Sequence, residues 1–193
     1  IDSIAADLVK VISSGVGLSS TQISSLKIAI AEIASNVFHH AESPNGAFLC
    51  AQKYPTYGII EVAIADTGVG VRKSLARNPL YKFLDKEDQA LKALEIAVQH
   101  KTTGRPEYNT GEGLFFASLL LQRNRGHFLI HSENARLVMS HQGSQGQTMP
   151  FWQGTIVCLQ FRMDIDFDIT ALFNEYYPPE NDYGLEVDDL LFG

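Results

Sequence analysis

The stretch Ile28-Ala-Ile-Ala-Glu32-Ile-Ala-Ser-Asn36-Val-Phe-His-His40-Ala41 constrains the fold more than any other part of this chain. At about 100° per residue, Leu26, Ile30, Ile33 and Val37 fall on one stripe. Glu32, Asn36 and His40 step four residues at a time along a second stripe, roughly 90° away. One helix therefore presents a core face and a separate row of acid, amide and imidazole. Such a row suits a polyanion bound with a metal ion. The carboxylate can take a proton from water, and the amide oxygen can complete a Mg²⁺ shell that keeps several waters and phosphate oxygens. Ser19, Ser20 and Thr21 can cap the helix start, and Glu42-Ser-Pro-Asn-Gly46 ends it after Ala41.

Around this helix the chain alternates in a way that predicts layers. Ala5 to Ser13 has helical apolar spacing and stops at Gly15 and Gly17. Ala47 to Tyr54 and Tyr57 to Asp66 read as two strands in hairpin order. The second is mostly apolar, as a central strand is, and exits into Asp66-Thr-Gly68-Val-Gly70. Two glycines after a carboxylate let backbone approach a flat ligand without interference from a Cβ, and the acid can accept a hydrogen bond from an exocyclic amine such as that of adenine. A short helix at Ser74 to Arg77 and a capped amphipathic helix from Asp85 to Val98 follow. His100 to Asn109 has no periodicity and reads as a mobile loop. It leads into Thr110-Gly111-Glu112-Gly113-Leu114, glycines that open an apolar helix to Leu121 and leave its free N–H groups open to an anion. Neither the Gly-Lys-Ser/Thr of a Walker loop nor the setting of a dinucleotide fingerprint is present. Three strand-like runs close the pattern: His127 to Ser132, Ala135 to Ser140 and Gly154 to Arg162. A hairpin turn is expected at Glu133-Asn134 and a loop over 142–149. The expected fold class is α/β: a two-layer α/β sandwich with a mixed, mainly antiparallel sheet and helices on one side.

With 193 residues and 45% hydrophobic content, one full core is expected. No run approaches the roughly 18 apolar residues of a membrane span, and no secretory leader is recognisable, so a cytoplasmic protein without a membrane partner is expected. Position 1 is Ile rather than Met, as in a piece excised from a longer protein. Cys50 and Cys158 lie in apolar runs and are expected to be reduced core thiols. The net charge of -7 is uneven. From Asp164 onward there are nine carboxylates and no Lys or Arg, while the body is slightly basic. That balance argues against a nucleic-acid partner. Two segments are expected, a domain over 1–163 and an acidic, aromatic docking tail or linker over 164–193.

Glu32-x-x-x-Asn36-x-x-x-His40-Ala41, Asp66-x-Gly68-x-Gly70, Gly111-x-Gly113-Leu114 and Gly154-Thr155 entering the last strand, in that order and spacing, resemble the GHKL superfamily. That group takes in DNA gyrase, heat-shock chaperones, histidine kinases and mismatch-repair ATPases. The resemblance covers about residues 20–162 and implies the Bergerat-type ATP-binding fold, with ATP and Mg²⁺ as cofactors. It implies that Asn36 binds the metal, with His40 and Leu114 beside the nucleotide. It further implies that Asp66 holds the adenine amine, that Gly68 and Gly70 shape the base pocket, and that Thr155 supports the adenine contact. Gly111 and Gly113 would cradle phosphates under a lid, and Glu32 would be the catalytic residue that orients or deprotonates the nucleophile. Lys101 and Arg105 are candidates to reach the γ-phosphate on charge and loop position. Residues 1–20 hold no phosphoacceptor histidine, and nothing in residues 163–193 looks like a transducer domain, so the layout most resembles the compact stand-alone signalling ATPases. The expectation is a slow ATPase or a histidine- or serine-kinase-like enzyme acting on a protein partner. The alternative is a nucleotide-gated interaction module without obligatory turnover.

Overall fold

The computed structural model describes residues 2–37, 41–106 and 110–178. Helix α1 (Asp2–Ser13) and helix α2 (Ser20–Asn36) come first. Ser19 caps α2 through a reciprocal pair, its hydroxyl accepting from the Gln22 N–H at 3.1 Å and its own N–H donating to the Gln22 side chain at 2.9 Å. Strands β1 (Ala47–Tyr54) and β2 (Ile59–Asp66) form a hairpin around a 3₁₀ turn at Pro55–Tyr57, which Gly58 closes at φ +65°. Helices α3 (Val71–Leu75), α4 (Ala90–Ala97) and α5 (Gly113–Arg123) follow, then the long strands β3 (His127–Ser140) and β4 (Gly143–Arg162), then helix α6 (Ile169–Tyr176). The four strands pair in the order β1-β2-β4-β3, and every pair is antiparallel, so the parallel component expected of a mixed sheet is absent among the described strands. The class is the expected two-layer α/β sandwich.

Period-two alternation decides which face meets the helices. Ile60, Val62 and Ile64 of β2, Phe128 and Ile130 of β3, and Val157, Leu159 and Phe161 of β4 point inward. There they join Leu26, Ile30 and Ile33 of α2 and Phe116, Leu120 and Leu121 of α5 in one core. The opposite face is open. Cys50, Ala63 and Cys158 lie in one row across it, Cys50 exposed and Cys158 half-buried. The expected core thiols are therefore not in the core: both fall on the solvent side of the alternation.

Four other local expectations are corrected. Glu133-Asn134 is a bulge inside a continuous β3 rather than a hairpin turn. Glu133 sits at φ +54°, but Arg72 of α3 grips its carboxylate at 2.7 and 2.9 Å, and the strand runs on. Residues 143–149 are strand, not loop, because they pair with Ala135–Ser140 while Gly146 lies against Leu91. The polar helix expected at Ser74 begins three residues earlier, at Val71, and the helix expected from Asp85 starts as a 3₁₀ turn at Glu87–Gln89 before α4.

The acidic C-terminal segment begins inside the domain. Phe167, Ile169, Leu172 and Phe173 are buried in the main core. The Gln22 amide donates to the Met163 and Ile165 carbonyls, the Ser25 hydroxyl accepts from the Ile169 N–H at 2.9 Å, and Asn124 bonds Arg162 and Ile165. Residues 179–193 lie outside the described part. Among the described residues, no helix is long and apolar enough to cross a membrane.

Candidate functional site

A cavity opens between α2, the exit of β2, the start of α5 and the loop that precedes it. Its volume is about 90 Å³. Ile33, Ile64, Val71, Leu75, Ile130 and Val157 give it apolar walls, and Asn36, Asp66, Ser74, Thr102, Thr103 and Thr155 supply polar groups.

Asp66 is the last residue of β2 and only 3% exposed. Burial pushes its carboxyl above the ordinary range, and backbone N–H groups of Gly68 and Thr155 pull it back, the first at 2.7 Å. A carboxylate seated at a strand exit, with two N–H donors fixing its orientation, can accept from an amine of a bound ligand. Its backbone is fixed as well, since the Trp152 indole N–H donates to the Asp66 carbonyl at 3.1 Å.

The glycines around it stand where a side chain would collide. A Cβ on Gly68 would lie 1.9 Å from the Ala41 carbonyl oxygen. One on Gly154, at φ +96°, would lie 2.3 Å from the Asp66 carbonyl oxygen. Gly70, at φ +78°, leads into α3, and its close neighbour is the Ser132 hydroxyl, which donates to Gly154 and accepts from Val71.

Across the cavity, Asn36 ends α2 with a buried side-chain nitrogen that has no partner among the described residues. Gly111, at φ +74°, is packed against the Thr102 backbone, and its carbonyl accepts from the Thr102 N–H at 3.1 Å. Gly113 and Leu114 start α5 and line the cavity. Glu32 does not line it. Its carboxylate lies beside Gly113, where a Cβ would be 2.1 Å from Oε2. It is 7% exposed, its Oε1 has no partner among the described residues, and burial, helped by the neighbouring Glu112, pushes it up to about 8.

Neither the models of known protein families nor the curated proteins give a match to this chain.

The residues singled out from sequence are thus distributed as follows. Asn36, Asp66, Gly70, Gly111, Gly113, Leu114 and Thr155 line one cavity, while Gly68 and Glu32 support its rim from just behind. His40 lies outside the described residues. Lys101, at φ +58°, holds its ammonium 5.4 Å over the Tyr177 ring. Arg105 bonds Glu42 at 2.6 Å. Neither cation is part of the cavity wall. Among the described residues no three His, Cys, Asp or Glu side chains gather as a metal cluster.

Sequence reasoning missed Glu112, which is 1% exposed between the two glycines. Tyr177 donates to its Oε1, and His100 Nε2 lies 3.0 Å from the same atom. The sequence signal was a carboxylate in the middle of an otherwise apolar glycine turn. Thr102 and Thr103 were also missed, as part of a loop with no periodicity.

Proposed function

We propose that this chain is a GHKL-type ATP·Mg²⁺-binding signalling module that hydrolyses ATP slowly or passes its γ-phosphoryl to a partner protein. The observation that carries it is the convergence of Asn36, Asp66, Gly111, Gly113 and Thr155, from separate parts of the chain, on one cavity with apolar walls. The residues fit the group. Asn36 lines the cavity with its Nδ2 buried and without a partner among the described residues, as a ligand-facing group is, and an amide turned by 180° presents oxygen instead of nitrogen. Asn36 would hold the metal, which when bound would neutralise phosphate charge. Asp66 would accept from the exocyclic amine of the base, and the free N–H groups at the start of α5 would meet phosphate oxygens.

Glu32 would act as the base, a role worth about 10²–10⁴ in rate. With its carboxyl up at about 8, it holds a proton at neutral pH, so turnover should rise as pH climbs towards that value. A second reading, nucleotide-gated partner binding, is favoured by the loop before Gly111. Thr102, Thr103 and Gly104 wall the cavity, and Asn78 fastens the loop by donating to the Thr103 carbonyl at 3.0 Å. Ordering of this loop by nucleotide would alter the outer surface.

Calorimetric titration of a non-hydrolysable ATP analogue, with and without Mg²⁺, tests the proposal. Trp152, the single tryptophan, gives a fluorescence readout beside Asp66. Binding that Asp66→Ala abolishes is expected, and equal affinity in both proteins refutes the assignment. Loss of single-turnover phosphoryl transfer in Glu32→Ala with binding intact supports an enzyme. Partner binding that requires nucleotide and survives Glu32→Ala supports the gate.

A further inference from the structure

Next in the chain to residues that line the cavity, three charged side chains from three segments meet. Glu42 follows Ala41, Arg105 follows Gly104, and Arg77 comes two residues after Leu75, and those three neighbours all line the cavity. One oxygen of Glu42 bonds Arg105 at 2.6 Å and the other bonds Arg77 at 2.7 Å. The Arg105 and Arg77 side chains are 28% and 29% exposed, and the Glu42 side chain between them is 52% exposed. Glu42 adopts φ +51°, a left-handed backbone conformation uncommon for a residue with a Cβ.

Two planar, permanently charged forks converging on one anion make the arrangement that recognises phosphate, which arginine binds by paired N–H donors. The three side chains bring two positive charges and one negative charge together. A terminal phosphate carries more charge and more acceptor oxygens than a carboxylate. It can replace Glu42 on both forks without leaving either arginine unpaired.

We propose that Arg77 and Arg105 form an oligophosphate-binding pair beside the cavity, and that Glu42 is a built-in competitor which the phosphate chain must displace. The inference rests on the nucleotide reading for what fills the cavity, but the pair's own ligand is the phosphate chain. Arg77 thereby gains a binding role, and the carboxylate becomes a threshold that disfavours weakly charged ligands.

The test is calorimetry with three probes, inorganic tripolyphosphate, ATP and adenosine, on the whole chain. The variants are Glu42→Gln, Arg77→Ala, Arg105→Ala and Glu42→Gln in an Arg77→Ala/Arg105→Ala background. Asp85→Asn serves as a control that removes one surface carboxylate elsewhere, and circular dichroism verifies folding. Glu42→Gln is expected to tighten tripolyphosphate and ATP by about fivefold or more and to leave adenosine unchanged. Each arginine variant is expected to weaken both anions several-fold, and the glutamine substitution should lose its effect once both arginines are gone. ATP binding that is unchanged or weaker in Glu42→Gln, or a gain equal to that of Asp85→Asn, overturns the competitor while leaving the nucleotide site standing. Arginine-dependent binding of tripolyphosphate with no binding of ATP or adenosine keeps the anion pair and overturns the nucleotide reading. No binding of any probe overturns both.

Discussion

Glu32 should make the stability of this protein fall as pH rises, and Glu32→Gln should remove that dependence. The carboxyl ordinarily releases its proton near 4.5, but in the folded chain burial and the adjacent Glu112 hold it up to about 8. Between those values the folded state binds a proton that the unfolded state has released. The proton therefore favours folding, fully below the unfolded value and progressively less as pH rises to the folded one. Each tenfold difference in proton affinity between the two states corresponds to about 1.36 kcal/mol, so the ceiling is about 5 kcal/mol. Relaxation around the ionised acid should bring it down to a few. Glutamine keeps the shape and never ionises. Urea unfolding followed by Trp152 fluorescence and circular dichroism at pH 5.5 and 8.5 measures the difference. The wild type should lose about 2–4 kcal/mol more than Glu32→Gln between the two conditions. At about 2–4 °C per kcal/mol for a domain of this size, that lowers the melting temperature by roughly 5–15 °C. Glu112→Gln should lower the pH at which the loss is complete, because it removes the neighbouring charge that adds to the effect of burial on Glu32. Identical pH dependence in wild type and Glu32→Gln would refute the reasoning, since no other change of charge separates them.

Two further perturbations probe the frame that holds the site. Arg72→Met leaves the Glu133 carboxylate buried and unpaired at the β3 bulge, and should cost about 3–5 kcal/mol in chemical denaturation. Combining it with Glu133→Gln should recover much of that loss, and a double variant as unstable as the single one would contradict the account. Gly154→Ala drives a Cβ to 2.3 Å from the Asp66 carbonyl at a left-handed φ, so it should both lower the melting temperature and displace the Asp66 and Trp152 pair. An unchanged Trp152 emission spectrum would show that the backbone of Gly154 does not approach Asp66 so closely.

What was legible from sequence, and what was not, divides by the range of the interaction that decides each element. Helix α2 was readable because its stripe, its Ser19 cap and its polar row all lie within about twenty residues, and local signals agree with the tertiary packing. Asp66 and the glycines after it were readable because strand exit and turn are adjacent in the chain. The β3 bulge was not, because Glu133-Asn134 has the composition of a turn, and only Arg72, 61 residues earlier, keeps the strand going. Residues 143–149 have the composition of a loop and become strand by pairing with Ala135–Ser140.

The C-terminal segment teaches the same point from the other side. Its run of carboxylates suggested a separable tail, yet Phe167 and Phe173 are buried in the main core. Polar side chains at Gln22, Ser25 and Asn124 fasten its backbone across the fold, and no local pattern marks those residues as fasteners. The consequence reaches the candidate site. Tyr177, just past α6, donates to Glu112, Glu112 sits between the two glycines, and its charge is one cause of the raised Glu32. A segment that composition assigns to the periphery thus helps set the electrostatics at the start of α5. Tyr177→Phe, which removes the donor to Glu112 and leaves the cavity lining unchanged, tests how far α6 reaches into that electrostatic setting.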